Sequence, residues 1–133
     1  MSFNNDPQIS RIIESKRRLL LQKDLFELLQ WMDDIEHSHS ELNAYTIIEK
    51  HLVKKSGVAL SIEALRRKNT LLMGILCKYE LTLKTEIEYG KTDYDIKRSK
   101  EHEKQRQLYL DLISDYRVLK LDILKRLCQL RKG

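Results

Sequence analysis

Four histidines, two cysteines and a dense set of carboxylates are the groups with which this chain could do chemistry. His37 and His39 stand among Asp33, Asp34, Glu36 and Glu41. Asp33 and His37 are four residues apart, so a helix would put them on one face, as a metal ion requires of two ligands. The stretch contains no HExxH motif, nor does the chain hold the matched pair of Glu-x-x-His motifs that di-iron bundles draw from two helices. His51 and His102 stand in charged surroundings. The expectation is an acidic, solvated turn with no metal and no cofactor.

Nucleophilic chemistry has equally little to build on. Cys77 and Cys128 have no neighbouring histidine and are set in leucine-rich sequence, which reads as buried, inert thiols. No GxSxG, P-loop or GxGxxG occurs. Catalysis draws on loops to bring groups to a pocket, and this chain has almost none to offer. No catalytic residue is assigned, and a non-enzymatic protein is expected.

The elements that would position these groups are helical. The 133 residues contain four glycines and one proline, where average usage would give about nine and about seven. Strand-rich folds need turn residues about every ten positions. Leu, Lys, Glu, Arg and Ile dominate instead. The length suits one domain, residues 1–133, with a real core.

Asp6 and Pro7 make a helix start, with a side-chain acceptor before a residue that lacks an N–H. A first helix should run to about His37, with Leu21, Leu25, Leu28, Met32 and Ile35 stepping as a heptad seam. Ile9, Ile12, Ile13, Leu19 and Leu20 extend its apolar surface. Ser38-His39-Ser40-Glu41 fits a capping box, predicting a break and a short second helix over 41–55. Leu42, Tyr45, Ile48 and Leu52 form its inner stripe, and Gly57 ends it in the left-handed conformation.

A third helix over 61–89, capped by Ser61, carries the most regular seam: Ile62, Leu65, Asn69, Leu72, Leu76, Tyr79 and Leu83. Asn69 at an apolar position can fix register or partner. Gly90 closes this helix, and Thr92 with Asp95 opens a fourth. At about 40 residues the fourth would be roughly 60 Å long against about 40–45 Å for the first and third. Its polar half, 91–107, would then overhang or run beside the short helix. Its inner stripe is Leu108, Leu112, Tyr116, Leu119, Ile123, Leu127 and Leu130. The fold expected is an all-α antiparallel bundle or short coiled coil, with three long helices and one short.

Apolar residues off these stripes point to a partner. Leu110, Val118 and Leu121, with Cys128, lie on a surplus face of the last helix. Leu71, Gly74 and Leu81 face outward on the third, and a mid-helix glycine permits close approach of another helix. These six residues, Cys128 apart, are the expected partner-binding positions. The partners would be other helical chains, a second copy included, in a structural or adaptor subunit of the kind that assembles on cytoskeleton, chromosomes or vesicles.

Net charge is +5, with −1 in residues 1–60 and +6 in the rest. Basic runs such as Lys16-Arg17-Arg18 and Arg66-Arg67-Lys68 are scattered, and few aromatics are placed to stack on bases. A basic helical protein associated with nucleic acid is therefore the alternative reading. No apolar run is long enough to span a bilayer. The start MSFNNDPQ has no targeting pattern, and a cytoplasmic or nuclear setting is expected.

The stretch DLFELLQWMDDIE, 24–36, resembles the first helix of a spectrin repeat, which carries a tryptophan in such a context. The resemblance covers about a tenth of the chain. The helix over 41–55 and the lack of a tryptophan in the last helix depart from that pattern. The residues themselves read as convergence on bundle packing, with Trp31 in a core or groove.

Overall fold

The computed structural model describes residues 6–91 and 93–132. Three long helices run antiparallel: α1 (Pro7–Ile48), α2 (Ser56–Tyr89) and α3 (Ile96–Lys132). A π-helical turn, Glu49–Val53, continues α1 and is the short fourth element. The all-α bundle expected from composition is the observed architecture.

Asp6 caps α1 as its position implied, accepting hydrogen bonds from the N–H groups of Gln8 (2.8 Å) and Ile9 (3.4 Å), with Pro7 at the first helical position. The break expected at 38–41 does not occur. Leu21, Leu28, Ile35 and Leu42 recur every seven residues and are all fully buried, so the core-facing row runs uninterrupted through the serines. Ser40 does not cap; its hydroxyl donates back to the His37 carbonyl at 2.7 Å. Continuous burial outweighs a local capping signal worth about 1 kcal/mol.

The reversal comes three residues earlier than Gly57 implied. Lys54, at φ 52° and ψ 43°, is the left-handed residue, and its N–H donates to the Glu49 carbonyl at 2.6 Å. Gly57 lies in the first turn of α2, so neither it nor Ser61 marks a boundary. Ser61 donates to the Gly57 carbonyl instead. Of the stripe expected over 41–55, Leu42 is buried, Tyr45 and Ile48 are half-buried, and Leu52 is exposed.

All seven seam positions of α2, from Ile62 to Leu83, are buried. Gly90 ends the helix, its N–H donating to the Glu86 carbonyl at 3.0 Å; a Cβ there would lie 2.7 Å from that oxygen. Asp95 caps α3 by accepting from the Arg98 N–H at 3.0 Å, while Thr92 lies outside the described residues. On α3, Leu112, Tyr116, Leu119 and Ile123 are buried, Leu108 and Leu127 are half-buried, and Leu130 is exposed.

The helices have 42, 34 and 37 residues, hence lengths of about 63, 51 and 56 Å. With α1 that long, the polar first part of α3 does not overhang. It packs on α1 and α2, and it buries His102 and Gln105.

Candidate functional site

Two features are set up by this packing: a buried polar centre near the α2–α3 turn, and a groove between α2 and α3.

The polar centre is built from one turn of α1 and one of α3. Asp24 and Glu27, three apart on α1, share a face. His102 on α3 meets both: its Nε2 lies 3.4 Å from Asp24 Oδ1 and 3.5 Å from Glu27 Oε1. Asp24 and His102 are each only 3% exposed, and Glu27 is half-buried. Outer partners hold each group by its other polar atom. Tyr94 donates its hydroxyl to Asp24 Oδ2. Arg106 Nη2 donates to Glu27 Oε2 at 2.7 Å. Tyr79 Oη lies 2.6 Å from His102 Nδ1. Trp31 stacks on the imidazole at 4.9 Å between centroids and on Tyr109 at 5.5 Å, so residues one heptad apart on α3 embrace one α1 ring.

Burial sets the electrostatics. It pushes the Asp24 carboxyl up, against the opposing hydrogen bond from Tyr94 and the charge of His102. It pushes the His102 imidazole down, against the pull of Asp24 and Glu27. Glu27 also pays desolvation, but Arg106 outweighs it and holds this carboxyl below the usual range. Glu27 Oε1 and His102 Nε2 have no hydrogen-bond partner.

The groove runs between α2 and α3. One stretch of it, about 610 Å³, lies over Tyr79, Leu83 and Tyr94 and reaches Asp24. From Ile75 it continues over Leu72, Leu108 and Leu112, then over Leu65 and Leu119 as far as Asp122. Leu71 and Val118, which are 70% and 65% exposed, stand on its rim. Lys68 bridges it to Asp115 at 2.8 Å.

The expected partner-binding positions are all exposed, but they do not form one patch. Leu71 and Val118 flank the groove. Leu110 and Leu121 lie on the outer face of α3, with Leu124 also exposed there. Gly74 and Leu81 lie on the outer face of α2, and a Cβ at Gly74 would meet nothing within 4 Å. Asn69 is buried at the α2–α3 seam.

The reading of the two thiols is corrected. Cys77 and Cys128 are exposed free thiols, because the leucines beside them in sequence point to other faces of their helices. His102, set among charged residues in sequence, is buried. Among the described residues Asp33, His37 and His39 are not gathered into a ligand group; His37 lies 3.6 Å from Glu41 alone. Several residues of the basic runs are engaged within the chain. Arg17 donates to Glu14 and to the Glu86 carbonyl, Arg98 pairs with Glu86, and Arg126 pairs with Asp122.

Fold and site together define a three-helix bundle with a polar centre at one end and an apolar groove along one side. Comparison with family models, curated proteins and solved structures finds no match. No helix of the described residues is long and apolar enough to cross a membrane.

Proposed function

We propose that this chain is a non-enzymatic assembly subunit that takes an amphipathic helix of a partner protein into the α2–α3 groove, completing a four-helix arrangement. One observation carries the reading: an apolar floor of Leu65, Leu72, Leu108, Leu112 and Leu119 lies between two helices, with Leu71, Ile75 and Val118 exposed at its edges. Helix-in-groove recognition uses such a surface, with apolar anchors at i, i+3, i+4 and i+7 of the guest.

The chemistry of the guest follows from the rim. Over that floor Asp111, Asp115 and Asp122 line the α3 side, against Lys68 on the α2 side. A guest helix with lysine or arginine along the edge facing α3 matches that bias, and the charge steers encounter more than it adds affinity. Leu110 and Leu121 would serve as a second, outer contact in a larger assembly. A cytoplasmic or nuclear setting fits this reading, since two exposed thiols stay reduced there.

The test is cross-linking with mass spectrometry on the full chain in its native extract, compared with Leu71→Glu/Val118→Glu and Leu110→Glu/Leu121→Glu. Cross-links from Lys68 to a helical segment of a partner are expected, lost in the first pair and kept in the second. Loss only in the second pair moves the interface to the outer face of α3. Cross-links from Lys68 to another copy of this chain, with a dimer in sedimentation, make the guest a second copy. Unchanged association in both pairs, with helical circular dichroism intact, overturns the reading.

A further inference from the structure

We propose that Asp24, Glu27 and His102 form a binding site for a divalent transition-metal ion, with Zn²⁺ the best match, that ties α1 to α3. The three atoms that converge are all acceptors when the imidazole is neutral and protonated on Nδ1: Asp24 Oδ1, Glu27 Oε1 and His102 Nε2, within 4.8 Å of one another. Three acceptors facing one another repel unless a cation sits among them, and the ammonium beside them, on the exposed Lys23, stays 3.8 Å from Glu27 Oε1, beyond hydrogen-bond reach. A proton on Nε2 would draw a carboxylate to about 2.7–2.9 Å, the length of a charge-assisted hydrogen bond. The distances are 3.4 and 3.5 Å. An ion about 2.1 Å from each of two tetrahedral ligands sets those ligands about 3.4 Å apart.

The surroundings fit the same chemistry. Metal-bound histidines and carboxylates are oriented through their far atoms by outer hydrogen bonds. Here Tyr79 holds His102 Nδ1, Tyr94 holds Asp24 Oδ2 and Arg106 holds Glu27 Oε2. His102 Nε2 is unpartnered on a side chain that is 4% exposed, and it is aimed at the two carboxylates. One imidazole and two carboxylates suit Zn²⁺ and its neighbours over Ca²⁺ or Mg²⁺, which prefer all-oxygen shells. Three protein ligands leave a fourth position for water.

The full chain, freed of metal by dialysis, is titrated with Zn²⁺ by calorimetry and with Co²⁺ by visible absorption. One ion per chain is expected, with Co²⁺ bands typical of a low-coordinate site that Zn²⁺ displaces. Glu27→Gln should weaken binding at least tenfold and Tyr79→Phe about tenfold to a hundredfold. His37→Ala/His39→Ala should leave it unchanged. If a variant loses its helical circular dichroism, the wild-type stoichiometry and Co²⁺ spectrum decide. Absence of a stoichiometric ion, loss of binding in the His37/His39 variant, or wild-type affinity in folded Glu27→Gln overturns the proposal. So does a ¹⁵N spectrum in which His102 Nε2 keeps a proton with Zn²⁺ in excess.

Discussion

Asn69 donates its side-chain amide to the Tyr116 hydroxyl at 2.8 Å, and both residues are buried where α2 meets α3. One polar pair in an apolar seam ties a single position of α2 to a single position of α3, since any axial slip leaves both groups unpaired.

Removing one partner should therefore cost more than removing both. Tyr116→Phe strands the Asn69 amide, and the expected loss is about 1–3 kcal/mol. Asn69→Leu/Tyr116→Phe should recover most of it. Urea unfolding of the four members of the cycle measures the coupling, and additive losses would show that the pair does not act as a unit.

Glu14 gives a defined acid response. It accepts from Arg17 Nε and Nη2 at 3.0 and 2.9 Å and from Arg18 Nε at 3.1 Å. These bonds hold its carboxyl down at about 2 from 4.5. The folded value lies below the unfolded one, so the contribution is fully present above about pH 4.5 and is lost as pH falls toward 2. Glu14→Gln should flatten that part of the Tm–pH curve relative to the parent. The difference should shrink in high salt, because the group is solvated.

Lys54 holds the one left-handed backbone among the described non-glycine residues. That conformation costs an L-residue about 1–2 kcal/mol, against about 0.5–1 kcal/mol for the extra unfolded-state freedom of glycine. Lys54→Gly should stabilise by about 0.5–1 kcal/mol, and Lys54→Val should destabilise. Thermal melts rank the three proteins, and a parent more stable than Lys54→Gly would contradict this account of the turn.

Trp31 reports on the polar end. Its ring lies between His102 and Tyr109, and Tyr109 donates to Asp34 Oδ2 at 2.5 Å. Trp31→Ala should cost about 3–5 kcal/mol. Tyr109→Phe should cost about 0.5–1.5 kcal/mol. Burial, then Asp34, raises the Tyr109 phenol to about 12. Its contribution is thus present below about pH 10 and lost as pH climbs through 12, which fluorescence-monitored unfolding across alkaline pH can follow.

The seam of α2 was legible residue by residue because its 3–4 spacing is strict and depends on no other segment. The end of α1 was not. A serine-rich capping signal at 38–41 competed there with the sevenfold recurrence of Leu21, Leu28, Ile35 and Leu42, and tertiary burial won. His102 was missed for a different reason. Its neighbours in sequence are charged, while the residues that bury it, Asp24, Trp31 and Tyr79, lie on two other helices. Exposure of Leu71, Leu110, Val118 and Leu121 followed from counting faces, but which of them share a groove depended on how α2 and α3 pack.

The bundle has two unlike ends. Where α1 turns into α2 the interior is hydrocarbon: Leu42, Val53, Val58, Ile62 and Ile123. At the other end lie Arg17, Asp24, His102 and Gln105, four of the five buried polar side chains among the described residues. Hydrocarbon contacts exclude water without needing it back, whereas polar contacts have water as a ready substitute. Backbone amides near the α1–α2 reversal should therefore exchange hydrogen only when the whole chain unfolds, while those of the first turns of α3 exchange through a smaller opening of their own.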